Sequence, residues 1–327
     1  MKKLICIALA LFVVLSCLAA CGAQEKEKED GTLKIGIIQY MSHPSLDNCY
    51  NGIIAGLDES GLSYTADRQI GSSNAADSDC VSFAKSMVAS GYDMIIAIAT
   101  PAAKAAFAGV KDTDIPVIFC AVSDPVAAGL TADIQNPGDN CTGTSDVLDL
   151  DAQVTMIRSF QPDVKSIGVL YTASEENSLT NLKNFRAVCE KQGIEVVATA
   201  VQNASDIPAA ADALCAQVDC VNNFTDNNVV NNLSVLLNAA EKNNIPVYGS
   251  EEEQVKRGCL ASVSIDYVAL GKVTGNMAVD VLKGASAATM AVKTISDATT
   301  VYNPDVLEDL GIALPTLGDG ATAVTAE

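Results

Sequence analysis

Polar side chains gather where the apolar segments of this chain end. Seven such stretches carry hydroxyls, carboxylates or amides, several with a tyrosine beside them: Gln39–Pro44, Ala99–Pro101, Ser123–Pro125, Tyr171–Ser178, Thr225–Asn227, Gly249–Glu251 and Ile265–Tyr267. Groups of these types can hold a small polar solute, and tyrosine rings can stack on it. Each hydroxyl or carboxylate taken singly is equally well explained as the N-cap of a following helix. Seven such loops together favour a ligand site, because capping does not require neighbouring aromatic rings.

The segments that carry these loops alternate between strand and helix. Short apolar runs indicate parallel strands buried on both faces, and apolar residues at helical spacing separate them. In the first half, strands are predicted over 33–39, 93–98 and 117–121, and helices over 46–60, 76–90 and from Pro101 onward. Such a series predicts a parallel sheet with right-handed crossovers.

A second series of the same kind begins after Ser145. Its predicted helices are 149–160, 178–192, 205–215, 228–242 and 267–283, and its predicted strands are 166–171, 195–201, 218–221, 246–249 and 259–263. The fold class is therefore α/β, with two doubly wound parallel-sheet lobes. In open sheets of this class ligands bind at the carboxyl ends of the strands, so we expect a hinge and a ligand cleft between the lobes.

The N-terminus has the features of an export signal. Lys2 and Lys3 precede an apolar run that is too short to span a bilayer permanently, and small residues lead to Cys21. Leu-Ala-Ala-Cys resembles the bacterial lipoprotein box, in which the cysteine is lipidated. We therefore predict a signal peptide over 1–20, a lipidated tether over 21–30, and an extracytoplasmic protein anchored to the cell membrane through Cys21. The alternative is an ordinary secretory signal with an incidental cysteine.

Composition excludes several classes of protein. The formal charge is −20, and removing Lys2 and Lys3 lowers it to −22, which argues against nucleic acid and against lying flat on anionic lipid. The single histidine, His43, makes a histidine-based metal site improbable, and the scattered cysteines lack zinc-ligand spacing. Several cysteines lie within apolar patterns, which favours buried free thiols over disulfides. No metal or cofactor is expected.

The strand-end loops match a known family in order and spacing from about Leu33 to Leu310. The matching stretches are 39–40 with 43–47, 100–103, 123–126, 168–171, 176–178, 225–227, 255–258 and 266–267. They resemble the tryptophan/tyrosine-type substrate-binding lipoproteins of ABC uptake systems. The resemblance implies the type I periplasmic binding-protein fold with three crossings, giving lobe 1 over 31–145 plus 267–292 and lobe 2 over 146–266 plus 293–327. Residues 221–224 are more polar than the family pattern.

The resemblance also implies a zwitterionic ligand. A buried ammonium group needs a carboxylate, so Asp124, Asp226 and Asp266 are candidates, the last two preferred. The ligand carboxylate needs hydroxyls and N–H groups at helix N-termini. The predicted ligand-binding residues are Gln39, Tyr40, Thr100, Asp124, Tyr171, Asn177, Ser178, Asp226, Asn227 and Asp266. Tyr40, Tyr171 and Tyr267 are the stacking candidates, His43 is predicted to shape a loop, and 251–253 is predicted to be a solvated helix start.

The hypothesis is a monomeric, non-enzymatic protein that captures an amino acid, aromatic by the resemblance, and delivers it to an ABC permease and ATPase. No phosphate loop or nucleophile elbow supports an enzyme. A transcription regulator of similar fold would need a basic DNA-binding segment where the export signal stands. A sugar- or nucleoside-binding protein and a ligand-sensing partner of a membrane receptor remain the alternatives.

Overall fold

The computed structural model describes residues 31–295, 298–318 and 320–325, so the predicted signal peptide and Cys21 lie outside the described residues. Residues 33–327 form one compact unit. The strands are β1 (Leu33–Gln39), β2 (Tyr64–Ile70), β3 (Met94–Ile98), β4 (Val117–Cys120), β5 (Cys141–Ser145), β6 (Ser166–Thr172), β7 (Glu195–Val201), β8 (Cys220–Asn222), β9 (Val247–Tyr248), β10 (Ala261–Ser264), β11 (Lys293–Thr294), β12 (Thr299–Tyr302) and β13 (Thr322–Ala323).

Helices connect most of these strands. They are α1 (Pro44–Asp58), α2 (Ala76–Ala89), α3 (Thr100–Gly109), α4 (Leu150–Phe160), α5 (Glu176–Lys191), α6 (Ile207–Cys215), α7 (Asn227–Asn231), α8 (Leu233–Lys242), α9 (Glu252–Lys256), α10 (Tyr267–Leu282) and α11 (Pro304–Leu310), with 3₁₀ turns at Ala204–Asp206 and Ala287–Thr289. Within the described residues, no helix is long and apolar enough to cross a membrane.

The strands form two wound sheets and a small third one. Lobe 1 contains the sheet ordered β11-β5-β4-β3-β1-β2, and lobe 2 contains the sheet ordered β7-β6-β8-β9. Every pairing within these two sheets is parallel. The predicted two-lobe α/β fold is confirmed. In both sheets the strand order changes direction beside the first strand of the lobe. This change of direction leaves a crevice at the carboxyl ends of the strands.

The lobes have separate cores. One apolar cluster fills lobe 1 with the isoleucines of β1 and β3 at its centre, and two clusters cover the faces of the lobe 2 sheet. The eight cysteines that the structure describes are all buried and free, as the apolar patterns predicted. They pack as small hydrophobic side chains within these cores.

The chain crosses between the lobes three times. It leaves lobe 1 after β5, returns with α10, and leaves again between β11 and β12. β11 pairs with β5 in the lobe 1 sheet, so the last crossing falls after residue 294, two residues later than the expected boundary. β12 then pairs antiparallel with β10 and parallel with β13 in the third sheet.

α1 and α10 lie in close contact because both carry glycines at the crossing. A Cβ placed on Gly52 would stand 2.1 Å from the carbonyl oxygen of Val268, and one on Gly271 would stand 2.1 Å from that of Cys49. Gly56 and Gly275 meet in the same way one turn further along each helix. Because the glycine side chains are single hydrogen atoms, the backbones of α1 and α10 pack directly against each other. This contact fixes the first residues of the two helices relative to each other. Both helices begin at the cleft.

Candidate binding cleft

A small cavity of about 20 Å³ lies between the two lobes at the carboxyl ends of their strands. Its lining residues are His43, Ser45, Leu46, Ala99, Ala121 and Ser123 from lobe 1, Asn177, Thr225, Asn227, Val230 and Glu251 from lobe 2, and Asp146 and Tyr267 at the crossings. Because residues of both lobes line this cavity, a ligand bound there would contact both lobes.

Lobe 1 meets the cavity with the beginnings of three helices. His43 is the N-cap of α1, Ala99 is the N-cap of α3, and Tyr267 is the first residue of α10. The first turn of a helix has N–H groups without intrahelical partners, and its dipole is positive. Neither His43 nor Ala99 caps its helix with a side chain. These N-termini can therefore receive the carboxylate of a ligand.

Two residues of this wall have strained backbones. Ala99 has a φ of 81° and Ala121 a φ of 56°, each directly after a strand of the lobe 1 sheet. An alanine in this region costs on the order of 1 kcal/mol, and such residues concentrate at ligand sites. Here they turn the chain sharply from strand to loop and bring the backbone up to the cavity.

Asp146 is a buried carboxylate in the floor of the cavity. Its two oxygens accept hydrogen bonds from the Ser123 hydroxyl at 2.9 Å and the Tyr267 hydroxyl at 3.0 Å. Burial raises the pKa of Asp146, and the two hydroxyls act in the opposite direction. Hydroxyls that donate to Asp146 fix its position without neutralising its charge. The site can therefore offer this charge to a cation.

Glu251 is a second buried carboxylate, with 2% of its surface exposed. It is the N-cap of α9 and accepts a hydrogen bond from the Ser45 hydroxyl of lobe 1. Burial raises the pKa of Glu251 to about 8. The expectation of a solvated helix start is wrong for this residue, because closure of lobe 1 over α9 removes Glu251 from water.

Lobe 2 builds its wall from a network of side chains behind the cavity. Glu175 accepts from the Asn177 side chain at 3.1 Å, from the backbone and side chain of Asn227 at 3.1 and 2.6 Å, and from the backbone of Asn228 at 3.1 Å. Burial and the neighbouring Asp226 raise the pKa of Glu175 to about 8, against the effect of these donors. The network holds Asn177 and Asn227 at the cavity surface.

Asp226 anchors the same network from below. It accepts from the backbone and hydroxyl of Thr172 at 2.6 and 2.8 Å, from the Ser178 hydroxyl at 2.7 Å and from the backbone of Val229 at 3.0 Å. Four donors occupy the carboxylate, and Asp226 is fully buried. Its hydrogen-bonding capacity is spent within the protein.

Polar atoms without a protein partner face the cavity from both lobes. Among the described residues, the buried atoms Nδ1 of His43, Oδ1 of Asn177 and Oγ1 of Thr225 have no hydrogen-bond partner, and all three residues line the cavity. Buried polar groups in proteins are nearly always satisfied, so these atoms are the ones a ligand would meet.

The protonation of His43 follows from its neighbours. Burial lowers the pKa of His43 to about 4, so the ring is neutral at pH 7. The side-chain N–H of Asn227 donates a hydrogen bond to Glu175. The Oδ1 atom of Asn227 therefore faces His43 Nε2, at 3.3 Å. Nε2 must then carry the proton, and Nδ1 is an acceptor towards the cavity. His43 therefore contributes more than the predicted loop-shaping role.

Of the ten predicted ligand-binding residues, the structure brings two to the cavity surface, Asn177 and Asn227. Ser178 and Asp226 lie directly behind them in the lobe 2 network. Thr100 follows Ala99 at the start of α3, buried, and its hydroxyl has no partner among the described residues.

The other five lie away from this cavity. Gln39 is bonded to Arg68 and Asp47 beneath α1, and the Tyr40 hydroxyl donates to Asp77 in a neighbouring groove. Tyr171 packs against the lobe 2 core. Asp124 and Asp266 are helix or turn caps: Asp124 accepts from the backbone of Ala127, and Asp266 is exposed and accepts from Val268 and Ala269.

The three aspartates predicted to receive the ammonium group do not line this cavity. The cavity-lining acids are Asp146 and Glu251, and the three predicted aspartates satisfy backbone N–H groups. Tyr267, Ser123, Thr225 and Glu251 all belong to strand-end loops that the sequence singled out. The sequence signal thus located the loops but not the residues within them. For Asp146, the only signal in the sequence was its position next to a predicted crossing between the lobes.

Among the described residues, four side-chain hydrogen bonds join the lobes across the cleft. Ser45 meets Glu251, Asn48 donates to Glu253 at 3.1 Å, His43 meets Asn227, and Asn231 donates to Ser73 at 3.1 Å. These contacts exist only when the lobes are together, so the structure represents a closed arrangement.

Comparison with known proteins agrees with this geometry. The family model described as ABC transporter substrate binding protein matches residues 34–317. The chain belongs to this family. It is similar to a tyrosine-binding protein of Clostridioides difficile (strain R20291), at 34% identity over 320 residues that cover 94% of this chain and 92% of the relative.

Two solved structures are also similar to this chain. An ABC domain in complex with L-Trp from Streptococcus pneumonia is 36% identical, with a TM-score of 0.85 over 90% of this chain and 100% of the other. A ligand-free, open substrate-binding protein with adhesive properties from Clostridium difficile is 34% identical over the same shares, with a TM-score of 0.68. The present structure is thus more similar in shape to the complex than to the open form.

Proposed function

We propose that this protein captures an amino acid with an aromatic side chain between its lobes and delivers it to an ABC permease and ATPase. The observation that carries the proposal is the cavity between the lobes, which is lined both by helix N-termini and by two buried carboxylates. A zwitterion needs both kinds of group, because each of its charges loses water on entry.

The roles divide between the walls of the cavity. Asp146 and Glu251 receive the ammonium group, and the starts of α1 and α3 receive the carboxylate. His43 Nδ1, Asn177 Oδ1 and Thr225 Oγ1 accept or share hydrogen bonds from the remaining polar atoms of the ligand. The tyrosine-binding relative and the L-Trp complex support an aromatic side chain.

Isothermal titration calorimetry of the purified protein tests this assignment. We expect L-tyrosine, L-tryptophan or L-phenylalanine to bind with a Kd of about 1 μM, which is about −8 kcal/mol. Ribose, adenosine and myo-inositol serve as the comparison ligands. Binding of a sugar or nucleoside in preference to every amino acid would overturn the proposal.

Asp146→Asn tests the same proposal at the level of the site. Loss of the floor carboxylate should weaken amino acid binding about 100-fold, because an ammonium group loses a buried counter-charge. Asp124→Asn is the matched control, since Asp124 also follows a lobe 1 strand but lies outside the cavity. Equal affinities for the Asp146 variant and the wild type would contradict the assigned role.

We further propose that the protein works outside the cytoplasmic membrane as a monomer, held there by a lipid on Cys21. The basic residues, apolar run and Leu-Ala-Ala-Cys sequence support the lipid anchor. Cell fractionation tests it: the wild type should sediment with membranes, and Cys21→Ser should not. A Cys21→Ser variant that still sediments with membranes after a salt wash would rule out the anchor.

A further inference from the structure

Glu251 does two things at once in the closed arrangement. Its carboxylate lines the cavity, and it also accepts the hydroxyl of Ser45 from the opposite lobe. The residues are 206 positions apart in the chain, and α9 and α1 belong to different lobes. Opening the lobes breaks this bond and returns the carboxylate to water. Any free energy that opposes burial of Glu251 therefore opposes closure.

The surroundings of Glu251 supply hydrogen bonds but little opposite charge. Gln254 and Ser45 donate to it, Arg257 attracts it, and Asp146 and Glu253 repel it. The titratable groups whose charges couple to Glu251 are Asp146, Glu253, Arg257, Cys49, Cys259 and Tyr267. None of the ion pairs in the part of the chain that the structure describes includes Glu251.

We propose that Glu251 makes closure of the lobes conditional on a positive charge in the cleft, supplied by the ammonium group of the ligand or, failing that, by a proton on Glu251. The inference rests on the proposed function and assigns a specificity-determining role to one residue. A ligand with an ammonium group brings a positive charge between Glu251 and Asp146, offsets their repulsion and permits the Ser45 contact. A ligand that lacks this group leaves two carboxylates buried together.

The same linkage predicts a dependence on pH. Burial raises the pKa of Glu251 in the closed form, so the closed form holds its proton at a pH where the open form has lost it. Closure without a ligand cation should thus become easier as pH falls from 8 towards 5.5, and its pH dependence should level off above about pH 8. The ammonium group removes this dependence, because it replaces the proton.

The test compares L-tyrosine with its des-amino analogue, 3-(4-hydroxyphenyl)propanoate, by calorimetry on the purified protein. In the wild type at pH 8.0 we expect L-tyrosine to bind at least about 100-fold more tightly, and this ratio to shrink at least about fivefold at pH 5.5. Small-angle X-ray scattering should show a smaller radius of gyration with L-tyrosine at both pH values, and with the analogue mainly at pH 5.5.

Glu251→Gln should keep the Ser45 contact and remove the charge. We expect its preference for L-tyrosine at pH 8.0 to fall at least about tenfold and to become nearly independent of pH. Ser45→Ala should weaken both ligands by similar factors and leave their ratio unchanged, because it removes the bond and keeps the charge. Glu252→Gln is the control, since Glu252 is exposed and pairs with Lys256 on the same helix.

The outcomes separate this inference from the proposed function. Failure of the wild type to bind any aromatic amino acid at either pH defeats the proposed function. Tight binding of L-tyrosine with a preference that is the same at both pH values, and unchanged in Glu251→Gln, defeats this inference alone. If Glu251→Gln does not fold, the wild-type preference ratio at the two pH values decides the matter.

Discussion

Lobe 1 meets the cleft with the starts of helices, whereas lobe 2 meets it with a network of hydrogen-bonded side chains. The lobe 1 wall includes three helix starts and two strained alanines, and the glycine crossing holds two of these helices, α1 and α10, together. The lobe 2 wall consists of asparagines that donate hydrogen bonds to Glu175, and beside them Asp226 accepts from Ser178 and Val229. The same fold thus builds two opposed binding surfaces by different means. Each wall should therefore be disrupted by a different substitution.

The lobe 2 wall should fail when its central acceptor is removed. Asp226→Ala leaves four buried donors without a partner, including the backbone N–H groups of Thr172 and Val229. We expect the free energy of unfolding to fall by about 4 kcal/mol, because each orphaned donor retains its desolvation cost. Guanidinium denaturation of the purified protein measures this loss.

Asp266→Ala is the matched control, because both aspartates cap the N-terminus of a helix and only Asp226 is buried. The loss of the exposed cap should cost about 1 kcal/mol. Equal losses for the two variants would mean that the buried network adds nothing beyond capping.

The lobe 1 wall should fail when its helices are pushed apart. Gly52→Ala places a methyl group 2.1 Å from the backbone oxygen of Val268, so α1 and α10 must separate. We expect a loss of about 3 kcal/mol in the free energy of unfolding. Ligand affinity should also fall, because His43 and Tyr267 stand at the starts of the two displaced helices.

Gly61→Ala separates backbone strain from steric overlap. Gly61 has a φ of +70°, and an added Cβ would meet no atom within 4 Å. Only the left-handed conformation opposes this change, at a cost of about 1 kcal/mol. A Gly52 variant no less stable than the Gly61 variant would show that the helix crossing tolerates a larger spacing.

Most of the fold could be predicted from the sequence because its buried strands are apolar. The elements that escaped prediction lack this signal. β2 is a half-exposed edge strand with polar residues, and β5, Cys-Thr-Gly-Thr-Ser, is fully buried but polar. The β11–β13 segments are short and pair across the chain's last crossing. Their conformation depends on distant partners that a local pattern does not contain.

The site could be predicted only to the level of its loops. Asp226 and Glu251 are both acids that stand directly before a helix, and sequence favoured the first as a ligand contact. Asp226 is occupied because β6 and α5 bring donors to it from far along the chain. Glu251 is buried because lobe 1 closes over it. Both facts arise from tertiary contacts, so local residue type could not rank the two.

The smallest predicted effect concerns a single hydroxyl of the lobe 2 wall. Thr225 lines the cavity, and within the described chain its buried Oγ1 has no hydrogen-bond partner. Thr225→Val keeps the shape of the side chain and removes this oxygen. Stability should rise by about 0.5 kcal/mol, because an unsatisfied buried hydroxyl is a cost in the folded protein. Affinity for the amino acid should fall about fivefold, because the ligand loses a hydrogen bond.

Thr131→Val distinguishes a ligand contact from a simple packing defect. Thr131 is also buried with an unpartnered hydroxyl, but it lies in lobe 1 outside the cavity lining. Its replacement should raise stability by about the same 0.5 kcal/mol and leave affinity unchanged. Thermal unfolding and calorimetry on the two variants give both quantities. A gain in stability with a loss of affinity at Thr225, together with a gain in stability and unchanged affinity at Thr131, would mean that the unsatisfied hydroxyl of Thr225 contacts the ligand. Unchanged affinity at Thr225 would mean that the ligand contacts only the asparagines of this wall.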